Sequence, residues 1–311
     1  MVKRMGPDLV TRWEGNPAIT IQDLSFRCAD ICNAGAVKFR DEYLLLISIQ
    51  SLEGFHRVYC ARSRDGYHFK VADEPFMERS REGGFALYEE QGVLDARITS
   101  LEGSYYIAYD AVSGHGYRLA LAKTNDFETV ERIALVSEPD TKAGVLFPEK
   151  INGRYARLER PWEGGSIWVS YSDDLEYWGW SENVMTPRGG FWDQNRVGVA
   201  TPPMRIDLGW LFVYYGVKET SAGPLFRLGA AILDAEQPSR VVGRTNVPIL
   251  VPRKEYERIG DVPNLVFSCG AVIEPDNEMK LYYGASNSCI CVGTTNVATI
   301  VEACLASERE Y

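Results

Sequence analysis

The sequence predicts an all-β fold, a five-bladed β-propeller that residues 1–311 form as a single domain. A strand–turn–strand pattern recurs five times, with turns about 50 to 70 residues apart, which is typical of propeller blades. Helical periodicity is weak throughout, and no low-complexity linker supports the alternative of two domains. Because a propeller gathers loops from all its blades around one central pocket, residues far apart in sequence can meet there.

Each copy of the pattern has an apolar strand, a polar turn and a second apolar strand. The copies are residues 35–47, 97–109, 147–158, 203–215 and 270–283. A second pattern, at 61–69, 122–130 and 170–178, has a strand that ends in Ser or Thr and a turn that carries Asp. Because Asp in such turns bonds its own backbone, we interpret Asp65, Asp126 and Asp173 as structural. The one helix expected is a short amphipathic tail at 297–307.

The net charge, the first residues and the cysteine and histidine content argue against several classes of protein. The net charge of −10 argues against a protein that binds nucleic acid or anionic membranes. The first residues lack the apolar stretch of a signal peptide, and the seven cysteines form no dense framework, so we expect reduced thiols and a cytoplasmic protein. His56, His68 and His115 have no metal-ligand spacing, and we expect no metal.

An acid and several cations stand where strands begin or end. Asp95 and Arg97 are two residues apart, so their side chains share one face of an extended chain. Apolar neighbours would desolvate Asp95, as a general acid requires, although a salt bridge at a blade edge is the plainer alternative. Basic residues follow at Lys142, Arg160 and Arg196. They could hold an oxyanion such as phosphate, or they could be solvated charges.

Six segments, taken together, resemble the mannoside phosphorylases and mannosidases of glycoside hydrolase family 130. They are residues 92–98, 146–155, 160–161, 209–217, 228–234 and 260–267, and the resemblance runs from about residue 16 to about residue 304. It implies a five-bladed propeller. It also implies an inverting β-mannoside phosphorylase that has no cofactor and uses inorganic phosphate as its co-substrate.

The resemblance assigns roles to individual residues. Asp95 would be the general acid. Phosphate would be bound by Arg97, Lys142, Arg160, Arg196 and Tyr215. The mannoside would be held by Asp261, Asn33 and Glu159. A phosphorylase needs no catalytic base, because phosphate is itself the nucleophile, whereas an inverting hydrolase needs a carboxylate base.

The chain departs from the family pattern at four positions. Ala96 stands where the family usually has Pro, and Ser48 where relatives commonly have an Arg that reaches the sugars. Tyr215 and Arg196 replace the common His and Lys. The alternatives are a β-mannosidase with Glu149 or Glu159 as its base, and a non-catalytic sugar-binding propeller. β-1,2 and β-1,4 linkages both stay open, as does a homo-oligomer formed through the chain termini.

Overall fold

The first half of the chain forms short N-terminal strands and then two groups of four strands. The computed structural model describes residues 8–306. Its first ten strands are β1 (Thr11–Arg12), β2 (Ile19–Thr20), β3 (Asp30–Phe39), β4 (Glu42–Gln50), β5 (His56–Ser63), β6 (Lys70–Val71), β7 (Gly92–Leu101), β8 (Ser104–Ser113), β9 (Gly116–Thr124) and β10 (Glu131–Leu135). Helix α1 (Gly83–Tyr88) connects β6 to β7, and a 3₁₀ turn (Ile21–Asp23) follows β2.

The second half continues the same way and ends in a helix. Its strands are β11 (Thr141–Leu146), β12 (Tyr155–Pro161), β13 (Ile167–Ser172), β14 (Gly179–Met185), β15 (Arg196–Val199), β16 (Met204–Ile206), β17 (Gly209–Thr220), β18 (Gly223–Leu233), β19 (Val241–Arg244), β20 (Val266–Ile273), β21 (Glu278–Ala285) and β22 (Cys289–Asn296). A 3₁₀ turn (Glu163–Gly165), helix α2 (Glu255–Arg258) and helix α3 (Val297–Leu305) complete the elements.

The strands pair into antiparallel groups that follow chain order, which confirms the all-β prediction. β3 to β10 form one eight-stranded sheet, whose two halves join through a single parallel pairing of His56 with Gly92. β11 to β14 form a four-stranded sheet, and β15 to β19 form a five-stranded one. The last sheet joins both ends of the described chain, because β1 and β2 pair with β22 beside β21 and β20.

Apolar side chains fill the spaces between neighbouring groups of strands. Val145 and Leu158 of the β11–β14 sheet belong to one buried cluster with Val197 and Phe212 of the β15–β19 sheet. Each sheet therefore buries its faces against its neighbours, which is how successive repeats obtain a continuous core. None of the helices within residues 8–306 is long and apolar enough to cross a bilayer.

The predicted repeats fall on paired strands in four of the five copies. In the copy at 147–158 the first half is a loop, because strand β11 already ends at Leu146. Pro148, which has no N–H to donate to a sheet, explains the shift. The predicted tail is helix α3, with Val297, Ile300 and Cys304 on its buried face. Ser307, the end of the predicted tail, lies outside the described residues.

The Asp turns act structurally, with one correction. Asp65 and Asp126 each accept two backbone N–H bonds at 2.9 Å from residues that follow them. In the third turn Asp174, not Asp173, accepts these bonds, from Glu176 and Tyr177. The prediction was one residue off because two Asp residues stand side by side and either could start the turn.

Candidate active site

A cavity of about 310 Å³ brings together residues from groups of strands that are far apart in sequence. Most of the predicted site residues line it, namely Asn33, Asp95, Lys142, Arg160, Arg196 and Tyr215. It is also lined by residues that the sequence did not single out for this site, among them His56, Asp110, Tyr117 and Trp162. The cavity therefore places the predicted acid and three of the predicted cations around one space.

β-Bulges aim the side chains at the cavity. The pairing of β3 with β4 shifts register between Cys32 and Ala34, and that of β7 with β8 between Leu94 and Arg97. The displaced residues Asn33 and Asp95 have left-handed backbones, with φ of 47° and 59°. A bulge bends its strand and redirects one side chain, and left-handed backbone is uncommon outside glycine. Two neighbouring strands thus turn an amide and a carboxyl into the same space.

Asp95 is buried and held by contacts on several sides. Its Oδ1 accepts a hydrogen bond of 2.5 Å from Asn33 Nδ2, and its backbone N–H donates to Ser48 Oγ at 3.0 Å. Its carbonyl oxygen accepts a bond of 2.8 Å from Arg97 Nη1. Gly35 lets β3 lie close to this bulge, because a Cβ there would come within 2.2 Å of the Ala96 carbonyl oxygen. The carboxyl is therefore fixed in orientation, as a group that transfers a proton must be.

Arg160 and Tyr215 form one donor unit. Arg160 is 3% exposed, and its Nε donates to Tyr215 Oη at 2.8 Å. Gly198 makes room for the phenol, since a Cβ there would lie 2.3 Å from Tyr215 Oη. Both residues line the cavity, and Arg160 Nη1 has no hydrogen-bond partner within residues 8–306. A guanidinium with donors to spare is suited to oxyanion oxygens.

Two further cations complete the set. Lys142 Nζ lies 3.6 Å from the centroid of the Tyr117 ring and 3.8 Å from Asp110 Oδ2. The Arg196 guanidinium lies 5.5 Å from the Trp162 ring centroid. Each ring gives its cation a favourable π-face without using up its N–H donors. Both cations therefore keep donors for a ligand in the cavity.

Several buried polar atoms at the cavity have no hydrogen-bond partner within residues 8–306. They are Asn33 Oδ1, His56 Nδ1, Asp110 Oδ2 and Arg160 Nη1. Buried polar atoms in folded proteins are almost always bonded, so a cluster of unpaired ones calls for an explanation. A polar ligand that fills the cavity and bonds to them is the simplest one.

Asp110 is the main residue that sequence reasoning missed. It is 0% exposed and lines the cavity. Burial raises its pKa to about 6, and the nearby charge of Lys142 opposes that rise. Burial also lowers the pKa of His56, so the imidazole there is neutral at pH 7. A signal was present, because Asp110 is the only acid in the apolar run 105–112.

Some predicted site residues lie elsewhere. Arg97 is fully buried, and its guanidinium donates to the carbonyl oxygens of Asp95, Val199 and Ala200, so it does not line the cavity. Asp261 is exposed and does not line the cavity. Burial is the main cause that raises the pKa of Asp30, and the negative charge of Asp261 adds to that rise.

The two glutamates considered as bases are also outside the cavity. Glu159 faces a separate cavity of about 730 Å³, where it forms an ion pair of 2.7 Å with Arg157 and accepts a hydrogen bond from Ser170. Successive residues of a strand point to opposite faces, so Glu159 and its neighbour Arg160 cannot share one cavity wall. Glu149 is exposed and does not line the cavity.

The fold and the site define a class of protein. It is an all-β protein whose central polar cavity sets one oriented carboxyl against three cations, as expected of an enzyme that handles an anionic co-substrate. No cluster of His, Cys, Asp or Glu suited to a metal ion occurs in the described part of the chain.

Comparison with known proteins assigns the chain to a family. The model of glycoside hydrolase family 130, described as beta-1,4-mannooligosaccharide phosphorylase, matches residues 20–306, and the chain belongs to this family. It is 36% identical to a beta-1,2-mannobiose phosphorylase of Listeria innocua, over 78% of this chain and 69% of that protein. It is 28% identical to a beta-1,4-mannooligosaccharide phosphorylase of Ruminococcus albus, over 95% and 90% of the two chains.

The similarity extends to three-dimensional structure. A solved complex of the Listeria innocua beta-1,2-mannobiose phosphorylase with beta-1,2-mannobiose superposes with a TM-score of 0.86 at 29% identity. The superposition covers 96% of this chain and 99% of that one. The family resemblance read from the six segments is therefore confirmed.

Proposed function

We propose that this protein is an inverting β-mannoside phosphorylase. It cleaves a β-linked mannoside with inorganic phosphate to give α-mannose 1-phosphate and a shortened acceptor. One observation carries the proposal beyond family membership, namely that Lys142, Arg160 and Arg196 surround the same cavity as the oriented carboxyl of Asp95. A water nucleophile would gain nothing from such cations, whereas a phosphate dianion needs them.

The proposed architecture is a single domain over residues 1–311, a five-bladed propeller with a short N-terminal extension and a C-terminal tail. Five groups of strands support it: β3 to β6, β7 to β10, β11 to β14, β15 to β19, and β20 to β22 with β1 and β2. The pairing of β1 and β2 with β22 would then close the ring by combining the two ends of the chain in one blade. The cavity would lie where the first strands of the blades converge.

In the proposed mechanism phosphate is bound by Lys142, Arg160, Arg196 and the Tyr215 hydroxyl. These groups offset the cost of removing the anion from water and aim one phosphate oxygen at the anomeric carbon. As the new C–O bond forms, the bond from the anomeric carbon to the acceptor oxygen breaks, and its electron pair stays on that oxygen. Asp95 supplies the proton, directly or through a sugar hydroxyl, and is left as a carboxylate.

The remaining assigned residues take supporting roles in this proposal. Asn33 orients Asp95 and presents its free carbonyl oxygen to the sugar. Arg97 acts from behind the cavity, where it ties the Asp95 carbonyl to that of Ala200 and adds positive charge. Ser48, which replaces the common Arg, supports the Asp95 backbone rather than the substrate. Asp261 is a candidate for contacting the mannoside at the outer edge of the cavity.

Hydrolysis is the second candidate function, and a specific observation favours it. Asp110 is a buried carboxyl on the wall of the same cavity, and a carboxylate in such a place is the group that activates water in an inverting hydrolase. The cation next to it, Lys142, weakens this candidate because its charge lowers the pKa of the carboxyl and so makes the carboxylate a weaker base. A non-catalytic sugar-binding protein is the third candidate, and it leaves the cation set unexplained.

The substrate and the compartment are also proposed. The relatives at 36% and 35% identity are named for β-1,2 linkages and the one at 28% for β-1,4, so β-1,2-mannobiose is the first substrate to test. All seven cysteines are unpaired, which supports a reducing compartment such as the cytoplasm.

The direct test is product formation from β-1,2- and β-1,4-mannosides, with and without inorganic phosphate. We expect mannose 1-phosphate only when phosphate is present, and the α anomer by NMR. Free mannose formed at the same rate without phosphate would replace the proposal with hydrolysis. Sugar binding without either product across the panel would favour the non-catalytic alternative.

A further inference from the structure

Asp110 is an unusual residue to find beside a binding site for an anion. Its side chain is 0% exposed, and Oδ1 accepts one long hydrogen bond of 3.3 Å from the Ala143 N–H. Its Oδ2 has no hydrogen-bond partner within residues 8–306, and Lys142 Nζ, at 3.8 Å, is too far for a direct hydrogen bond. A carboxylate oxygen therefore stands free at the wall of the cavity that Lys142 and Arg160 also line.

An acceptor in this position repels most anions. An ionised carboxylate has only lone pairs to offer, so it can bond an oxyanion only if that oxyanion carries a proton. Inorganic phosphate keeps at least one proton at neutral pH, whereas sulfate, of nearly the same size and shape, has none. The cations cannot make this distinction, because they attract both anions.

We propose that Asp110 selects phosphate against fully deprotonated oxyanions, by accepting a hydrogen bond from the phosphate hydroxyl. The other phosphate oxygens then face the donors Lys142, Arg160 and Tyr215. The inference rests on the proposed phosphorolysis and adds a specificity-determining residue to it. It gives the free oxygen of Asp110 a partner and makes one phosphate orientation preferred over the others.

The charges around Asp110 agree with this role. Asp95 and Arg97 on β7, Lys142 on β11 and Arg160 on β12 all act on it electrostatically, as does Cys269 on β20. Burial raises the pKa of Asp110 to about 6. At pH 7 the group is therefore mostly a carboxylate and accepts a hydrogen bond. As the pH falls through about 6 it takes up a proton and becomes able to donate one to sulfate instead.

The test compares sulfate with phosphate in the wild-type protein and in Asp110→Asn. Calorimetric titration with each anion gives the two affinities, and inhibition of phosphorolysis by sulfate gives a second measure. At pH 7.5 we expect the wild type to bind sulfate at least about tenfold more weakly than phosphate, the loss typical of an unmatched charged hydrogen bond. In Asp110→Asn the amide N–H₂ can donate to sulfate, so the ratio should fall to within about threefold of unity.

Asp207→Asn is the matched control, because it makes the same chemical change at an exposed turn outside the cavity lining. It should keep the wild-type ratio. If Asp110→Asn does not fold, the wild-type ratio alone decides, and equal affinity for the two anions overturns the inference. Loss of phosphate-independent mannose release in Asp110→Asn would also overturn it, because Asp110 would then be the base of a hydrolase. Failure of the proposed function has a distinct signature: the wild type shows no phosphate-dependent turnover, whatever the sulfate ratio.

Discussion

Two buried aspartates show how differently this chain treats the same side chain. Asp193 and Asp110 are both 0% exposed. Asp193 accepts hydrogen bonds from Arg188, from Arg244 at 2.7 Å and from the Tyr214 hydroxyl at 2.9 Å, so both its oxygens are bonded. Asp110 has one long bond and one free oxygen. The two carboxylates are equally buried but differ in their hydrogen-bond partners. The fully bonded Asp193 stabilises the fold, whereas Asp110 is left available to a ligand.

The difference extends to the surroundings of each residue. Around Asp193, Arg188 and Arg244 join the loop before β15 to β19 in one network in which both carboxylate oxygens are matched by donors. The cavity instead has three cations and two carboxyls among its lining residues. Several polar atoms of the lining residues have no hydrogen-bond partner within residues 8–306. The first arrangement stabilises the fold, and the second is suited to binding. Substitutions in the two regions should therefore separate activity from stability.

The largest effect is expected from Asp95→Asn at the cavity. Removing the proton donor should lower turnover of a mannobiose by about a hundred- to ten-thousandfold, the usual contribution of a general acid. The fold should be unaffected, because an amide can still bond Asn33. Steady-state kinetics and a melting curve measure the two effects. An aryl β-mannoside, whose leaving group needs no proton, should lose much less activity, and equal losses for both substrates would argue against the acid role.

Asp193→Asn should affect stability instead. The change leaves Arg188 and Arg244, whose side chains are only 16% and 12% exposed, without a full counter-charge. Removing one partner of a buried ion pair typically costs about 3–5 kcal/mol in free energy of unfolding. Denaturant unfolding at pH 7.5 measures this loss. In whatever fraction remains folded, the ratio of sulfate to phosphate affinity should stay at the wild-type value. A changed ratio would show that the two regions are coupled rather than separate.

The smallest effect is expected for Asp110→Asn in the absence of phosphate. It is a gain in the free energy of unfolding, whereas Asp193→Asn should cause a loss. Burial raises the pKa of Asp110 from 3.8 to about 6, so ionisation destabilises the folded state as the pH rises through that window. The variant, which cannot ionise, should unfold like the wild type at pH 4. At pH 8 it should be more stable by about 1–3 kcal/mol, an upper figure set by the size of the pKa shift. A loss of stability at pH 8, as for Asp193→Asn, would place Asp110 among the structural carboxylates.

The strands and the candidate general acid Asp95 could be predicted from the sequence more readily than the residues that surround this acid in the cavity. The repeats predicted the β fold because alternating apolar strands and Asp turns are local patterns, and they failed at 147–158 where Pro148 interrupts the sheet. Asp95 was found through its motif. Asp110 was missed because only the register of β7 with β8 and the bulge of β11 at Ala143 reveal that it meets Lys142.

Arg97 and Glu159 show the opposite kind of error, because both were predicted at the site and neither lines the cavity. Arg97 lies within a recognised segment and Glu159 directly before one, but a bulge and the alternation of a strand turn them away from the cavity. A sequence gives the spacing of such residues. Which face they occupy depends on one-residue shifts in pairing, and these become visible only once the sheets are assembled.

The most direct test of the central claim runs the reaction in ¹⁸O-labelled water while the concentration of phosphate is raised from zero. It measures which oxygen, that of water or that of phosphate, becomes bonded to the anomeric carbon. The account predicts no cleavage without phosphate. With phosphate it predicts that turnover follows phosphate saturation, and that mannose 1-phosphate has no label in the oxygen bridging C1 and phosphorus. Labelled free mannose, formed at a rate that does not depend on phosphate, would contradict it and identify the cavity as the site of a hydrolase.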